Sequence, residues 1–71
     1  MKVSTSRAQE LGDKLGVDWK KTSLLEFWQG INTELEHKSI VKDDLELAGI
    51  IALDHLKELP DYYSRLIRME K

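Results

Sequence analysis

Two short motifs in this 71-residue chain offer acid–base or metal-ligating chemistry in mirror image, Glu34-x-x-His37 and His55-x-x-Glu58. Residues at i and i+3 project from one side of a helix, so each motif presents a carboxylate and an imidazole together. Glu-x-x-His repeated on two helices is how bundle proteins assemble carboxylate-bridged metal centres, and two imidazoles with two carboxylates also suit zinc. Glu34, His37, His55 and Glu58 are therefore the candidate metal ligands. Spacing sets a condition on them. If the two helices run antiparallel through the 38–43 connection, His37 lies opposite Asp44 and His55 falls about 16 Å further along. Only a steep crossing, or an antiparallel dimer, joins the dyads. The competing roles are structural: His37 facing the macrodipole at a helix C-terminus, and His55 as a hydrogen-bonded residue at the edge of an apolar face. On that reading no cofactor is expected.

A second constellation is the basic outer face Arg65, Arg68 and Lys71, which follows the Leu59-Pro60-Asp61 break. Two tightly joined helices with a basic second member suit a helix-turn-helix reader of DNA. A solvated helix face carries the same three bases, and Asp61 and Glu70 dilute them, so nucleic acid is disfavoured as a partner. The aromatic set Trp19, Phe27, Trp28, Tyr62 and Tyr63 reads as core, with one of the adjacent tyrosine hydroxyls reaching solvent or a partner. No nucleophile–base–acid set, glycine-rich phosphate loop or nucleotide fingerprint is present, which points away from an enzyme.

The elements that position these residues are helical. Apolar residues Ala8, Leu11 and Leu15 predict a first helix over about 6–15, with Ser6 and Gln9 at capping-box spacing and Gly16 at its C-terminal end. Ser23-Leu24-Leu25-Glu26 is a strong capping box, and Leu24, Phe27, Trp28, Ile31 and Leu35 then follow at helical spacing, predicting a second helix over 23–37. A third is predicted over 44–59, started by Asp43 or Asp44. Its main stripe is Leu45, Ala48, Gly49, Ala52, Leu56 and Leu59, whose small central residues invite close approach by another helix. Leu47, Ile50, Ile51 and Leu53 point elsewhere around the same cylinder. A helix apolar on nearly all sides is buried on nearly all sides, so Leu47, Ile50 and Leu53 are the candidate interaction residues. Pro60 ends that helix, and Asp61 starts a fourth over 61–70 with Tyr62, Tyr63, Leu66, Ile67 and Met69 inward. Trp19 lies in the connector 16–21 and is expected to plug the end of the core. Ser39-Ile40-Val41 is the one short strand candidate. These elements predict a single all-α domain over residues 1–71, a compact bundle of about four short helices.

Composition narrows the class further. The chain has no cysteine, which excludes disulfides, Cys-ligated zinc, CxxC haem attachment and thiol catalysis. A domain this small buries only about 60% of the surface its unfolded chain exposes, so dense helix packing, self-association or a metal must support it. Hydrophobic residues make up 41% and charged residues 34%, as in a soluble globular domain. Residues 1–21 carry five bases against three acids, residues 22–59 three against eight, and residues 60–71 three against two. An acidic middle between basic ends favours attraction within a bundle over wrapping a polyanion. No apolar run approaches the ~20 residues of a membrane span, and no hydrophobic run follows Met1-Lys2-Val3-Ser4. A cytoplasmic location without membrane contact is the expectation.

The segments Glu34-Leu35-Glu36-His37 and Ala52-Leu53-Asp54-His55-Leu56-Lys57-Glu58-Leu59-Pro60-Asp61-Tyr62-Tyr63, with Arg65-Leu66, resemble a family of small, uncharacterised microbial and phage-associated domains. Members of that family pair a Glu-Leu-Glu-His segment with a later His-Leu-x-Glu-x-Pro-Asp-Tyr-Tyr segment. The resemblance spans about residues 20–71. It implies a domain identity without an activity, and it places His37, His55, Glu58 and Tyr63 in the shared segments. Lys38 stands where the family is expected to have glycine. The expected function is that of a small non-enzymatic interaction module whose partner is another protein or a second copy of the chain. A metal-binding bundle built on the Glu/His dyads and a DNA reader built on the last helix are the alternatives.

Overall fold

The computed structural model describes residues 2–36 and 44–70. Among them are four helices: α1 (Thr5–Leu15), α2 (Leu24–Leu35), α3 (Leu45–Glu58) and α4 (Tyr62–Glu70). The all-α fold expected from periodicity is the fold observed. His37, Asp43, the 39–41 strand candidate and Lys71 lie outside the described residues.

Helix ends follow local chemistry, with two departures. α1 is capped by Ser4 rather than Ser6: Ser4 is extended (φ −79°, ψ 165°) and its Oγ accepts the Arg7 N–H at 3.1 Å. At the other end Gly16 adopts φ 81°, ψ 27°. Its N–H bonds the Asp13 carbonyl while Val17 N–H bonds the Gly12 carbonyl, which together form a Schellman ending. Ser23 caps α2 by accepting the Glu26 N–H at 3.3 Å. The second departure is the Glu26 carboxylate, which does not complete a capping box with Ser23 but is directed into α4. Asp44 caps α3 through the Leu47 N–H at 3.1 Å. α3 stops at Glu58, because Leu59 takes the extended conformation (φ −146°, ψ 101°) that a following proline favours.

α2 is the central element and packs against the other three helices. One core joins Ala8 and Leu11 of α1, Phe27, Ile31 and Leu35 of α2, Ala48, Ala52 and Leu56 of α3, and Tyr63 of α4. α2 also buries a second face, Glu26, Gly30 and Glu34, at i, i+4 and i+8. Met69, expected inside, is 83% exposed in the last turn of α4.

Close approach is arranged by glycine. A β-carbon on Gly49 would lie 2.8 Å from Leu11 Cδ2, so the small stripe of α3 does admit α1. A β-carbon on Gly12 would collide with the Trp19 ring, which covers that position and tilts against Phe27 at 5.8 Å between centroids. Trp19 Nε1 donates to Asp13 Oδ1 at 2.8 Å, so the ring is anchored over the end of the core as expected.

Gly30 matters most. A β-carbon there would lie 2.5 Å from the Tyr63 ring and 2.9 Å from Ala52 Cβ. The position is thus the meeting point of α2, α3 and α4. Gly30→Ala gains roughly 1 kcal/mol of helix propensity. Against that, it drives a methyl into a rigid ring and a neighbouring helix, overpacking that costs about 1–3 kcal/mol. The variant is expected to unfold at lower urea concentration than the wild type; a higher midpoint would show that the crossing is looser than described.

Candidate functional site

The crossing at Gly30 and Ala52 decides which dyad residues meet. An antiparallel pair in contact there would set Glu34 opposite Ala48, about 10 Å short of His55. Instead, His55 Nδ1 lies 3.4 Å from Glu34 Oε2. The Glu34 and His55 side chains reach across that offset, so one member of each dyad meets the other. Glu58 does not join them: it is exposed in the last turn of α3, and no three His, Asp or Glu residues among those described are grouped to hold a metal ion. His37 lies outside the described residues.

The residue that completes the site is Tyr63, which α4 inserts with no exposed surface. Its hydroxyl donates to Glu34 Oε2 at 2.8 Å and sits 2.8 Å from His55 Nδ1. A phenol has one proton. Because that proton is directed to the carboxylate, Nδ1 must carry its own hydrogen and donate it to the Tyr63 oxygen. The network so assigns the tautomer. The result is a directional chain, His55 Nδ1–H to Tyr63 Oη–H to Glu34, running inward from a partly exposed imidazole to a buried carboxylate. In the neutral ring Nε2 is then left as the acceptor. Tyr62 stacks on the imidazole (4.6 Å, 20°) and meets Tyr63 edge-on (4.9 Å, 79°), so both faces of the expected tyrosine pair are engaged near His55.

Glu26, one end of the same buried α2 face, makes a second polar link. Its Oε1 accepts the Ser64 N–H at 3.2 Å and its Oε2 accepts the Ser64 hydroxyl. Ser64 lies in the first turn of α4, where backbone N–H groups lack helical partners. Glu26 thus caps α4 from another helix. Asp61, the expected cap, begins α4 with its carbonyl but turns its carboxylate to Arg65 Nε at 2.8 Å. That hydrogen bond holds the Asp61 carboxyl below the usual carboxylate range. In the sequence Glu26 stood out only as a capping-box partner for Ser23, and Ser64 not at all. The available signal was the pair of acids flanking Gly30 at helical spacing on an otherwise apolar element.

The other candidates are spread over the surface. Arg65 is exposed and ion-paired, Arg68 is exposed one turn on, and Lys71 is outside the described residues. On α3, Leu47 and Leu53 pack partly against the core, whereas Ile50 is 49% exposed.

These features define a small helical domain organised around a buried polar chain that links three helices. The chain belongs to the family described as Protein of unknown function (DUF5661), whose model matches residues 8–71. No curated protein and no solved structure matches it.

Burial, and secondarily the bond from Tyr63 to Glu34, push the Tyr63 phenol well above its ordinary value of 10.0. The fold therefore favours the neutral phenol. Its contribution is fully present below pH 10 and is lost as pH rises above that value. In an alkaline titration followed by ultraviolet difference absorbance, Tyr63 should ionise only with unfolding. Ionisation of Tyr63 near its ordinary value of 10.0 in the folded state would refute the buried chain. Tyr63→Phe removes a hydrogen bond to a buried carboxylate, with an expected loss of about 1.5–3 kcal/mol in denaturant unfolding.

Proposed function

We propose that the chain is a small, cytoplasmic, non-enzymatic interaction module, and that the occupant of its outer α3 face is a second copy of itself. The observation that carries this reading is Ile50, 49% exposed within an apolar patch that includes Leu15, Ile51 and Leu53. The rim supplies Asp54 and Lys57, one acid and one base, so a second copy meets no net repulsion. A two-fold interface uses the same patch on both subunits, as a single self-complementary helix face allows. Leu47, three residues before Ile50, is half-buried against the core.

The absence of catalysis is supported by the use to which the polar residues are put. Tyr63 and Glu34 are buried and bonded to each other, and the grooves at the surface are lined by other residues. Pairing of Arg65 with Asp61 likewise supports a solvated outer face on α4 over a DNA-reading one.

A second reading has one specific observation behind it, the meeting of Glu34 and His55. A histidine that ligates a metal through one nitrogen characteristically donates its other N–H to an orienting partner. His55 would bind through Nε2, with Tyr63 and Glu34 orienting the ring. Unchanged thermal midpoints with zinc and with EDTA would remove this reading.

The dimer is tested by sedimentation over a wide concentration range. The wild type should approach twice its monomer mass, and Ile50→Glu should stay monomeric with its thermal midpoint held within a few degrees. A wild-type chain that remains monomeric at millimolar concentration would overturn the self-association.

A further inference from the structure

The apolar patch on α3 is bounded by charge in a definite order. Glu46, Ile50, Leu53 and Lys57 follow one another at intervals of four, three and four residues, the spacing that keeps side chains in line along a helix. Glu46, Ile50 and Lys57 are exposed and Leu53 is half-buried. Along the helix the stripe therefore runs acid, apolar, apolar, base, and Leu15 of α1 flanks its apolar part. The inward residues of α3, Ala48, Gly49, Ala52 and Leu56, hold other positions around the cylinder.

That order is self-complementary in one direction only. Two copies of α3 laid parallel set Glu46 against Glu46 and Lys57 against Lys57, a like-charge juxtaposition at both ends. Laid antiparallel about a two-fold axis, Ile50 of each copy lies opposite Leu53 of the other. The same register brings Glu46 opposite Lys57, and the symmetry makes that pair twice. A slide of one turn sets Ile50 against Lys57 in one direction and Leu53 against Glu46 in the other, so each slide leaves apolar side chains facing charges.

Both end charges are able to pair across such a contact. Lys57 makes no ion pair among the described residues. Glu46 accepts Lys14 Nζ through Oε2 at 3.2 Å, with both side chains more than half exposed. A carboxylate accepts at two oxygens, so Glu46 can take a second ammonium without giving up the first.

We propose that two copies of the chain associate through antiparallel α3 helices, with Ile50 opposite Leu53 and Glu46 paired with Lys57 at each end of the contact. This rests on the self-association proposed above and fixes its orientation and register. His55 is nine residues from Glu46, half a turn around α3. The contact therefore leaves the imidazole of each copy facing away from the other, and each polar chain stays within its own subunit.

The absence of cysteine from the full chain allows a direct test by crosslinking. Under mild oxidation, mixed Glu46→Cys and Lys57→Cys chains should form a covalent heterodimer well ahead of either variant with itself. In the antiparallel register the two copies of position 46 lie about 16 Å apart along the contact. Sedimentation of charge-reversed variants reads the pairing separately. Lys57→Glu and Glu46→Lys should each weaken self-association about tenfold, because two exposed pairs become two repulsions. The double variant carrying both changes should associate as the wild type does. Thermal midpoints within a few degrees of the wild type show that the variants remain folded. Crosslinking of Glu46→Cys with itself as fast as the mixed pair would overturn the proposal, as would single reversals that leave a wild-type dimer intact. In both cases the self-association itself would stand; only a wild-type chain that stays monomeric at millimolar concentration removes the two together.

Discussion

The hydrogen-bonded chain from His55 through Tyr63 to Glu34 is the constraint on which the remaining structure depends. It takes one residue from each of α2, α3 and α4, and each is placed where only one relative arrangement satisfies the others. Removing a carboxylate from water is costly unless hydrogen bonds replace its hydration. Glu34 is only 6% exposed, so the fold cannot bury it without also bringing Tyr63 into position. Apolar contacts between α2 and α4 would tolerate sliding; a directional bond to a buried carboxylate does not. A core of modest size acquires a single geometry in this way without disulfides.

Packing and polarity cooperate at Gly30. The glycine lies midway between Glu26 and Glu34 on the face of α2 that meets α4, and its missing side chain is the space taken up by the Tyr63 ring. Were the ring held further out, its hydroxyl would fall short of Glu34. The same glycine lets Ala52 approach, on the helix that carries His55. One absent methyl group serves both contacts.

Much of the fold was legible in the sequence because its signals are local. Ser23 and Asp44 cap where their spacing predicts, Gly16 ends α1, and Pro60 separates α3 from α4. The stripe Phe27, Ile31 and Leu35 points inward as its periodicity requires. What could not be read was every role assigned across helices. Glu26 has the spacing of a capping-box partner for Ser23, yet it satisfies Ser64 instead, because the orphan N–H groups of α4 lie within its reach. Asp61 looks like the cap of α4, but Arg65 one turn on claims its carboxylate. Met69 fits the inward stripe of α4, yet none of the described residues covers it and it stays exposed. The dyads were legible as residue types, whereas the meeting of Glu34 with His55 depended on how α2 and α3 pack, which no local spacing specifies. The hydrogen bonds that Asn32 and Trp28 make with the Val3 backbone join positions 29 and 25 residues apart and left no local trace.

The cap that Glu26 supplies to α4 has a consequence for how the domain folds. α4 has nine residues, well short of the ~12–15 at which an isolated helix becomes even marginal in water. Its own cap residue is engaged elsewhere, so its first turn is completed by a carboxylate on α2. The segment therefore has little reason to be helical until it reaches that surface. Coil-to-helix ordering and tertiary docking become one cooperative transition at this end of the chain, with no stable undocked helix between the two states.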